Sequence, residues 1–498
     1  MLRAADADAP AKPQAAVPDA AAQAVAEKAL REQYRFEYSK KTIIDRLTLA
    51  QLLLKKSLAS NDAPVKFVML REARDLASLA GAYHDAMDAI DEMAGAFAVE
   101  PLELRYAALA AAAKPPPANP HVASDLLASC GALTEDAVTA ENMDLAAKAA
   151  ALGESVAAAT KAPAAVARAK AQTKFLKEAT EARAQASASR ETLKTTPEDA
   201  AANLAAGRWL AAYRGDWAKG LPFLARCSDA QMAQAAKKEL ADSARGKDMF
   251  EVAEQWWAQG ERPGFPKIQF RRHAAYWYAK AAAEGIPAPA AATAEKKLQD
   301  LAAADTRRSI DLLGIVDASR DAWHGTFKWA GADLVAVRGY DDSIEFPVHL
   351  PDDFDYRIEF VRNSGDDAVM QSMPRPPGYF SWVIAGWRNE WAGFEMINEA
   401  QANANATSVR FKPMLTNGRK YVSLVQVRHD GVKGFLDGKL VAQWKTDYHD
   451  FTARHLPRQA AFPSITIWTS EATISAAELI GISAEPKVGR IVPPAAKQ

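Results

Sequence analysis

The chain has 498 residues, a quarter of them charged, and a formal net charge of −1. That length is too great for one core, and two to four domains are predicted. The balanced charge lacks the basic excess or stripe of a nucleic-acid binder, and no run of about 18 apolar residues marks a membrane-spanning helix.

Residues 1–21 are an Ala/Pro/Asp segment with almost no large apolar side chain, so disorder is predicted there. The segment has no apolar stretch of the signal-peptide kind, although low-complexity stretches like it often follow a cleaved signal. Export and a cytoplasmic location therefore both stay open.

Helical periodicity starts near Ala24 and predicts a helical hairpin subdomain over 22–113. Ile43, Ile44, Leu47, Leu49, Leu52, Leu53 and Leu54 share a broad apolar face. Asp62 is placed as the N-cap of the next helix. Phe67 to Phe97 reads as two helices broken at Gly81, with Ala at the crossing so that the pair can approach closely. This spacing resembles a tetratricopeptide-type hairpin. The run Lys114-Pro115-Pro116-Pro117-Ala118-Asn119-Pro120 cannot be helical and marks a break.

Helices resume over 121–194. Pro163–Lys194 carries few large apolar residues and is predicted as a long exposed helix between two helical subdomains. The second subdomain, 195–305, is marked by Trp209, Trp217, Trp256, Trp257, Tyr276, Trp277 and Tyr278 at helical spacing. These rings read as filler between paired helices, not as a cofactor box. Ala274–Gly285, reading A-A-Y-W-Y-A-K-A-A-A-E-G, resembles the signature of Sel-type repeats. Stacked hairpins of this kind offer a surface to a protein partner.

From about residue 308 the grammar changes. Apolar and polar residues alternate between Gly, Asn and Asp turns, most strictly at Tyr356, Ile358 and Phe360. About ten short strands are predicted over 308–485, with D-G turns at Asp430-Gly431 and Asp437-Gly438, and a tail over 486–498. The fold class is thus multidomain, α then β: N-terminal all-α helical hairpin repeats, then a C-terminal antiparallel β-sandwich or jelly roll.

Tyr421–Tyr448, with its phrase V-x-V-R-x-D-G-V-x-x-x-L-D-G-K-x-V, resembles the late strands of a concanavalin A-like (laminin-G-type) jelly roll. Together with Tyr356–Met370 and Phe380–Asn398 it is similar to domains related to the 3-keto-disaccharide hydrolase group. The whole arrangement, with G-D-W-x-x-G-L-P-x-L at Gly215–Leu224, also resembles a family of uncharacterised bacterial exported proteins. The resemblance implies an exported (periplasmic or extracellular), carbohydrate-associated or envelope protein. It brings no catalytic residues with it.

The sharpest site candidate is the aromatic and polar set Tyr379, Trp382, Trp387, Arg388, Asn389 and Trp391. Sugars present flat C–H faces on which such rings stack, while polar neighbours bond the hydroxyls; the competing reading is core packing. Glu395 and Glu399 on one regular strand would stand about 13 Å apart. That exceeds the spacing of a glycosidase pair, about 5–5.5 or 6.5–9.5 Å. Asp366 and Asp367 are too few for a calcium site, which wants six to eight oxygens, so no cofactor is assigned and calcium stays a weak alternative.

Cys130 and Cys227 imply no disulfide framework, and their pairing is left open. His324, His349, His429, His449 and His455 have no partners spaced for a triad, and zinc spacing is absent. The Asn405-Ala406-Thr407 sequon carries little weight.

The reading is a non-enzymatic binding or scaffold protein, with helices for a protein partner and a lectin-like sandwich for a glycan or envelope surface. A sugar-acting hydrolase or lyase, and a purely structural protein of an assembly, are the alternatives.

Overall fold

The computed structural model describes residues 14–241, 245–452 and 461–490. The chain forms two compact units. The first comprises helical residues up to 305, without 82–88 and 117–125; those two short stretches and the residues from 306 onward form the second.

The helical unit is built on local signals. Asp62, Asn142, Asp199, Asp216 and Asp229 each accept a backbone N–H three residues on, satisfying donors that a helix start leaves open. Ala63–Leu79 is followed by Tyr83–Ala96 after a turn at Gly81, and Pro120 opens the helix Pro120–Thr139. The helix Pro163–Thr195 forms, but it is not exposed all round. Ala169, Ala179, Ala182 and Ala186 bury one narrow stripe. Three of these belong to a single apolar cluster running from Ala137 to Leu301, so one core continues across this helix.

Trp209, Trp256, Trp257 and Tyr278 lie inside that cluster. Trp217 lies flat on His273 with ring centres 3.5 Å apart, and His273 shares the Glu239 carboxylate with the indole N–H of Trp256. Rings fill the width between Ala-faced helices, and their polar edges find partners inside. No helix among the described residues is long and apolar enough to cross a membrane.

The second unit is an antiparallel β-sandwich. Among the described residues its eight-stranded sheet runs in the order Lys439–Lys445, Gly431–Leu436, Lys420–Arg428, Phe354–Ser364, Glu471–Gly481, Asp333–Val337, Thr326–Ala330. Ser309–Asp311 also pairs with Glu471–Gly481. The seven-stranded sheet runs Val409–Arg410, Trp391–Glu395, Gly378–Ala385, Val369–Arg375, Ser464–Trp468, Asp341–Glu345, Ala322–His324. Alternation sends Tyr356, Ile358, Phe360, Phe380, Trp382, Ile384 and Phe394 into one core between the sheets.

Asp437 (φ 50°) and Gly438 (φ 75°) make the two-residue turn of the last hairpin in the left-handed geometry that D-G supplies. Lys487–Val488, within the stretch read as a tail, pairs with Val348–His349, and Arg490 forms an ion pair with Asp321. Of the segment 1–21, residues 1–13 lie outside the described residues, as do 491–498 of the tail. Helix begins at Ala20.

Candidate functional site

The sequence-derived aromatic set divides on burial. On the strand Gly378–Ala385, Trp382 points into the sandwich and is 0% exposed. Its indole N–H donates to Ser423 Oγ (3.2 Å), the Ser423 hydroxyl donates to Gln371 Oε1, and Gln371 Nε2 donates to the Tyr356 carbonyl (2.9 Å). This chain of bonds crosses from one sheet to the other and leaves no member unpaired, which helps to fix how the sheets pack. Gly434 lies against the Trp382 ring so closely that an added Cβ would stand 2.8 Å from it.

Tyr379 points the other way but is also buried, its hydroxyl 3.2 Å from Ser464 Oγ, and burial pushes that hydroxyl's pKa up. A ring with no free face cannot stack on a sugar. Trp382 and Tyr379 are therefore corrected from candidate ligands to packing residues.

Trp387, Arg388 and Asn389 form the loop after that strand and take consecutive left-handed backbone angles (φ 50°, 60° and 65°), as does Ala385 before them (φ 62°). Such angles cost about 1–2 kcal/mol each in non-glycine residues and persist only where the surroundings impose them. The imposing contacts are visible. Asn389 donates through Nδ2 to the Leu415 carbonyl (2.7 Å) and accepts the Leu415 N–H at Oδ1 (2.8 Å). Its own carbonyl accepts the Met414 N–H (3.0 Å). Arg362, buried beneath, donates to Asn417, to the Asp367 carbonyl and to the Leu415 carbonyl. Asn389 is thus a loop anchor, with its amide already engaged, and is corrected as a direct ligand to sugar hydroxyls.

The residues left accessible are Trp387, Arg388 and Trp391. Arg388 is exposed and has no ion pair among the described residues. Trp391 starts the strand Trp391–Glu395; Ala392 and Phe394 face the core, so Trp391 faces outward. The Arg410 guanidinium lies 5.3 Å from its ring centre. Arg410 and Lys412 both bind Glu390, whose carboxyl is held below the usual range by Lys412 first and Arg410 second.

Two further rings belong to this place and were missed in the sequence. Trp387 and Trp468 both pack on the small cluster Ala368, Met370, Val383 and Ala402, on the outer side of the seven-stranded sheet. Tyr340, 72% exposed, meets the edge of Trp468 with ring centres 5.3 Å apart. Trp468 ends the phrase S-I-T-I-W, where strict alternation puts it opposite the core-facing Ile465 and Ile467; that parity was the available signal. The result is a rim of partly exposed rings along one end of the sheet.

The chain's likenesses to solved structures lie over its β-sandwich. It is similar to the carbohydrate-binding module CBM66 from Bacillus subtilis, at 14% identity and TM-score 0.24, over 32% of this chain and 92% of that one. It is similar to the exoplasmic/lumenal domain of VIP36, at 9% identity and TM-score 0.26, over 35% and 89%. A third likeness is to the Crh5 transglycosylase, at 10% identity and TM-score 0.26, over 35% and 83%. No protein-family model matches the chain, and no curated protein matches it. At these identities and scores the likenesses assign no activity.

The acids are arranged differently from the expectation of a shared strand face. The strand ends at Glu395, which is buried, while Glu399 lies beyond it, exposed and left-handed (φ 66°). On the outer side of the sheet, Glu345, Ser464, Ser372, Ser381 and Glu395 follow one another in register across five strands. Glu345 and Glu395 are thus four strand steps apart, about 19 Å.

Asp367 accepts the Ala368 N–H (2.9 Å); burial raises its pKa, and backbone bonds from Ala368 and Trp387 oppose the rise. It supports the Trp387 loop. No three His, Cys, Asp or Glu side chains converge as a metal site among the described residues. The Asn405 amide donates to the Phe394, Ala400 and Gln401 carbonyls, so the sequon nitrogen is engaged in its own loop. His455 lies outside the described residues. Cys130 and Cys227 are both buried free thiols.

In the helical unit, an open cleft of about 690 Å³ is lined by Cys227, Ser228, Gln234, Lys237, Lys238 and Gln255.

Proposed function

We propose that this chain is a non-enzymatic binding and scaffold protein whose β-sandwich holds carbohydrate at the aromatic rim. The observation that carries the reading is the gathering of Trp387, Trp391, Trp468 and Tyr340 at one end of one sheet, partly exposed, beside the exposed guanidinium of Arg388. Rings that keep a free face offer C–H stacking, and a guanidinium fork donates to hydroxyl pairs. The helical unit is the proposed seat of a protein partner; its open cleft and the exposed Phe36, Ile43 and Ile44 support that role.

A sugar-cleaving reading finds little support. The two outer-face acids stand about 19 Å apart, against the 9.5 Å or less of a glycosidase pair.

The test is a glycan array probed with the full chain and with its Trp387→Ala/Trp391→Ala variant. Binding that the variant loses, with its cooperative unfolding retained, is the expected outcome. Equal binding by both proteins would remove the rim as the site. An absence of glycan binding would leave the assembly reading, tested by concentration-dependent sedimentation.

A further inference from the structure

The rim has a direction as well as a composition. Its rings follow the order of the strands, not the wall of a pit. Tyr340 immediately precedes Asp341–Glu345, and Trp468 pairs with Asp341 on the neighbouring strand. The Trp468 N–H donates to the Ala368 carbonyl beside the third strand (2.9 Å). Trp387 leads out of the fourth strand, and Gly386 bridges to Trp391 at the start of the fifth. From Asp341 to Trp391 is four strand steps, about 19 Å. Such a span exceeds one sugar ring several times over.

The charges along it nearly cancel. Arg410 and Lys412 share Glu390, and His324 lies on Asp341. Asp367 is held by backbone N–H groups. Arg338, Arg388 and Asp366, which lie within two residues of Tyr340, Trp387 and Ala368 in the chain, are all exposed, two cations to one anion. A strongly anionic chain would find little net attraction here, whereas the hydroxyls of a neutral one would find guanidinium donors.

We infer that the rim takes an internal stretch of a linear, uncharged polysaccharide laid across the strands, with Tyr340 and Trp391 at the two ends of its footprint. The inference rests on the carbohydrate reading above and adds the length, direction and charge of the ligand. Tyr340 is then a distant contact point: it touches only a ligand long enough to pass Trp468.

The experiment is titration calorimetry of the full chain with four neutral series, cello-, manno-, xylo- and fructo-oligosaccharides from one to six units, beside the hexamer of galacturonic acid. At least one neutral series should bind more tightly as units are added. Tyr340→Ala should weaken that hexasaccharide about tenfold, the value of one stacked ring, and leave the disaccharide unchanged. A monosaccharide bound as tightly as its hexasaccharide would overturn the inference while the carbohydrate reading stands. Binding of the galacturonate hexamer alone would overturn the neutral ligand. Loss of the disaccharide together with the hexasaccharide in Tyr340→Ala would overturn the end-to-end footprint. No binding by any series, with none on the array, would overturn this inference and the carbohydrate reading together.

Discussion

The two units put tryptophan to opposite uses. In the helical unit, Trp256 is 0% exposed and Trp209 and Trp257 are buried beside it, because Ala-faced helices leave a space that only large rings fill. In the sandwich, strand alternation already fills the core with Phe, Ile and Tyr side chains and Trp382, so Trp387, Trp391 and Trp468 remain at the sheet's end with free surface. The same residue type is packing in one unit and a candidate contact in the other. What separates them is which side of an element they leave, not their chemistry.

The widest test of that contrast pairs Trp256→Ala with Trp387→Ala. The first should cost about 3–5 kcal/mol, read as a lowered denaturation midpoint. The second, half-buried on Ala368, Met370, Val383 and Ala402, should cost about 1–2 kcal/mol and remove glycan binding. Comparable losses of stability in both would erase the distinction.

Within the sandwich, Gly434→Ala should cost about 1–3 kcal/mol by driving a methyl against the Trp382 ring; a midpoint equal to the parent would mean that the ring has room to move. Asn389→Ala removes both bonds to Leu415 and should cost about 1–3 kcal/mol. It should also weaken glycan binding through the released loop, although Asn389 itself touches no ligand. Unchanged binding in a folded Asn389→Ala protein would show that the left-handed run holds without it.

Cys130 extends the comparison to pH. Burial pushes its thiol from the ordinary 9.0 up to about 12. The folded protein then keeps a proton that the unfolded chain has lost. This contribution is fully present below pH 9 and falls as pH rises towards 12, by at most about 1.4 kcal/mol per pH unit. Urea titrations of the parent and Cys130→Ala at pH 8 and pH 10 should show the smaller drop in the variant, and parallel drops would count against the shift. The smallest effect should come from Gly438→Ala, whose φ of 75° costs about 1 kcal/mol in a residue with a Cβ.

The fold class was legible because it depends on short-range pattern. The helix cap Asp62, the break before Pro120 and the alternation of Tyr356, Ile358 and Phe360 are each read within a few residues. One central strand was not legible. Glu471–Gly481 reads E-A-T-I-S-A-A-E-L-I-G, rich in Ala and Glu, yet it pairs on both flanks in the middle of the larger sheet. Its local preference is overridden by neighbours on either side.

The site was half legible. Trp387 and Trp391 could be chosen from a polar loop flanked by rings. Tyr379, Trp382 and Asn389 could not be discarded, because burial and hydrogen-bond partners from residues 414–423 and 464 decide their roles. Trp468 and Tyr340 stand far from that loop in the chain, and only strand order brings them to it.

The amino-acid sequence by itself therefore determined the change from helix to strand near residue 308, the helix start at Asp62 and the D-G hairpin, since each follows from backbone preference and periodicity over a few residues. Only the tertiary structure decided which rings are core and which are rim, because a ring's free face depends on what distant strands lay against it.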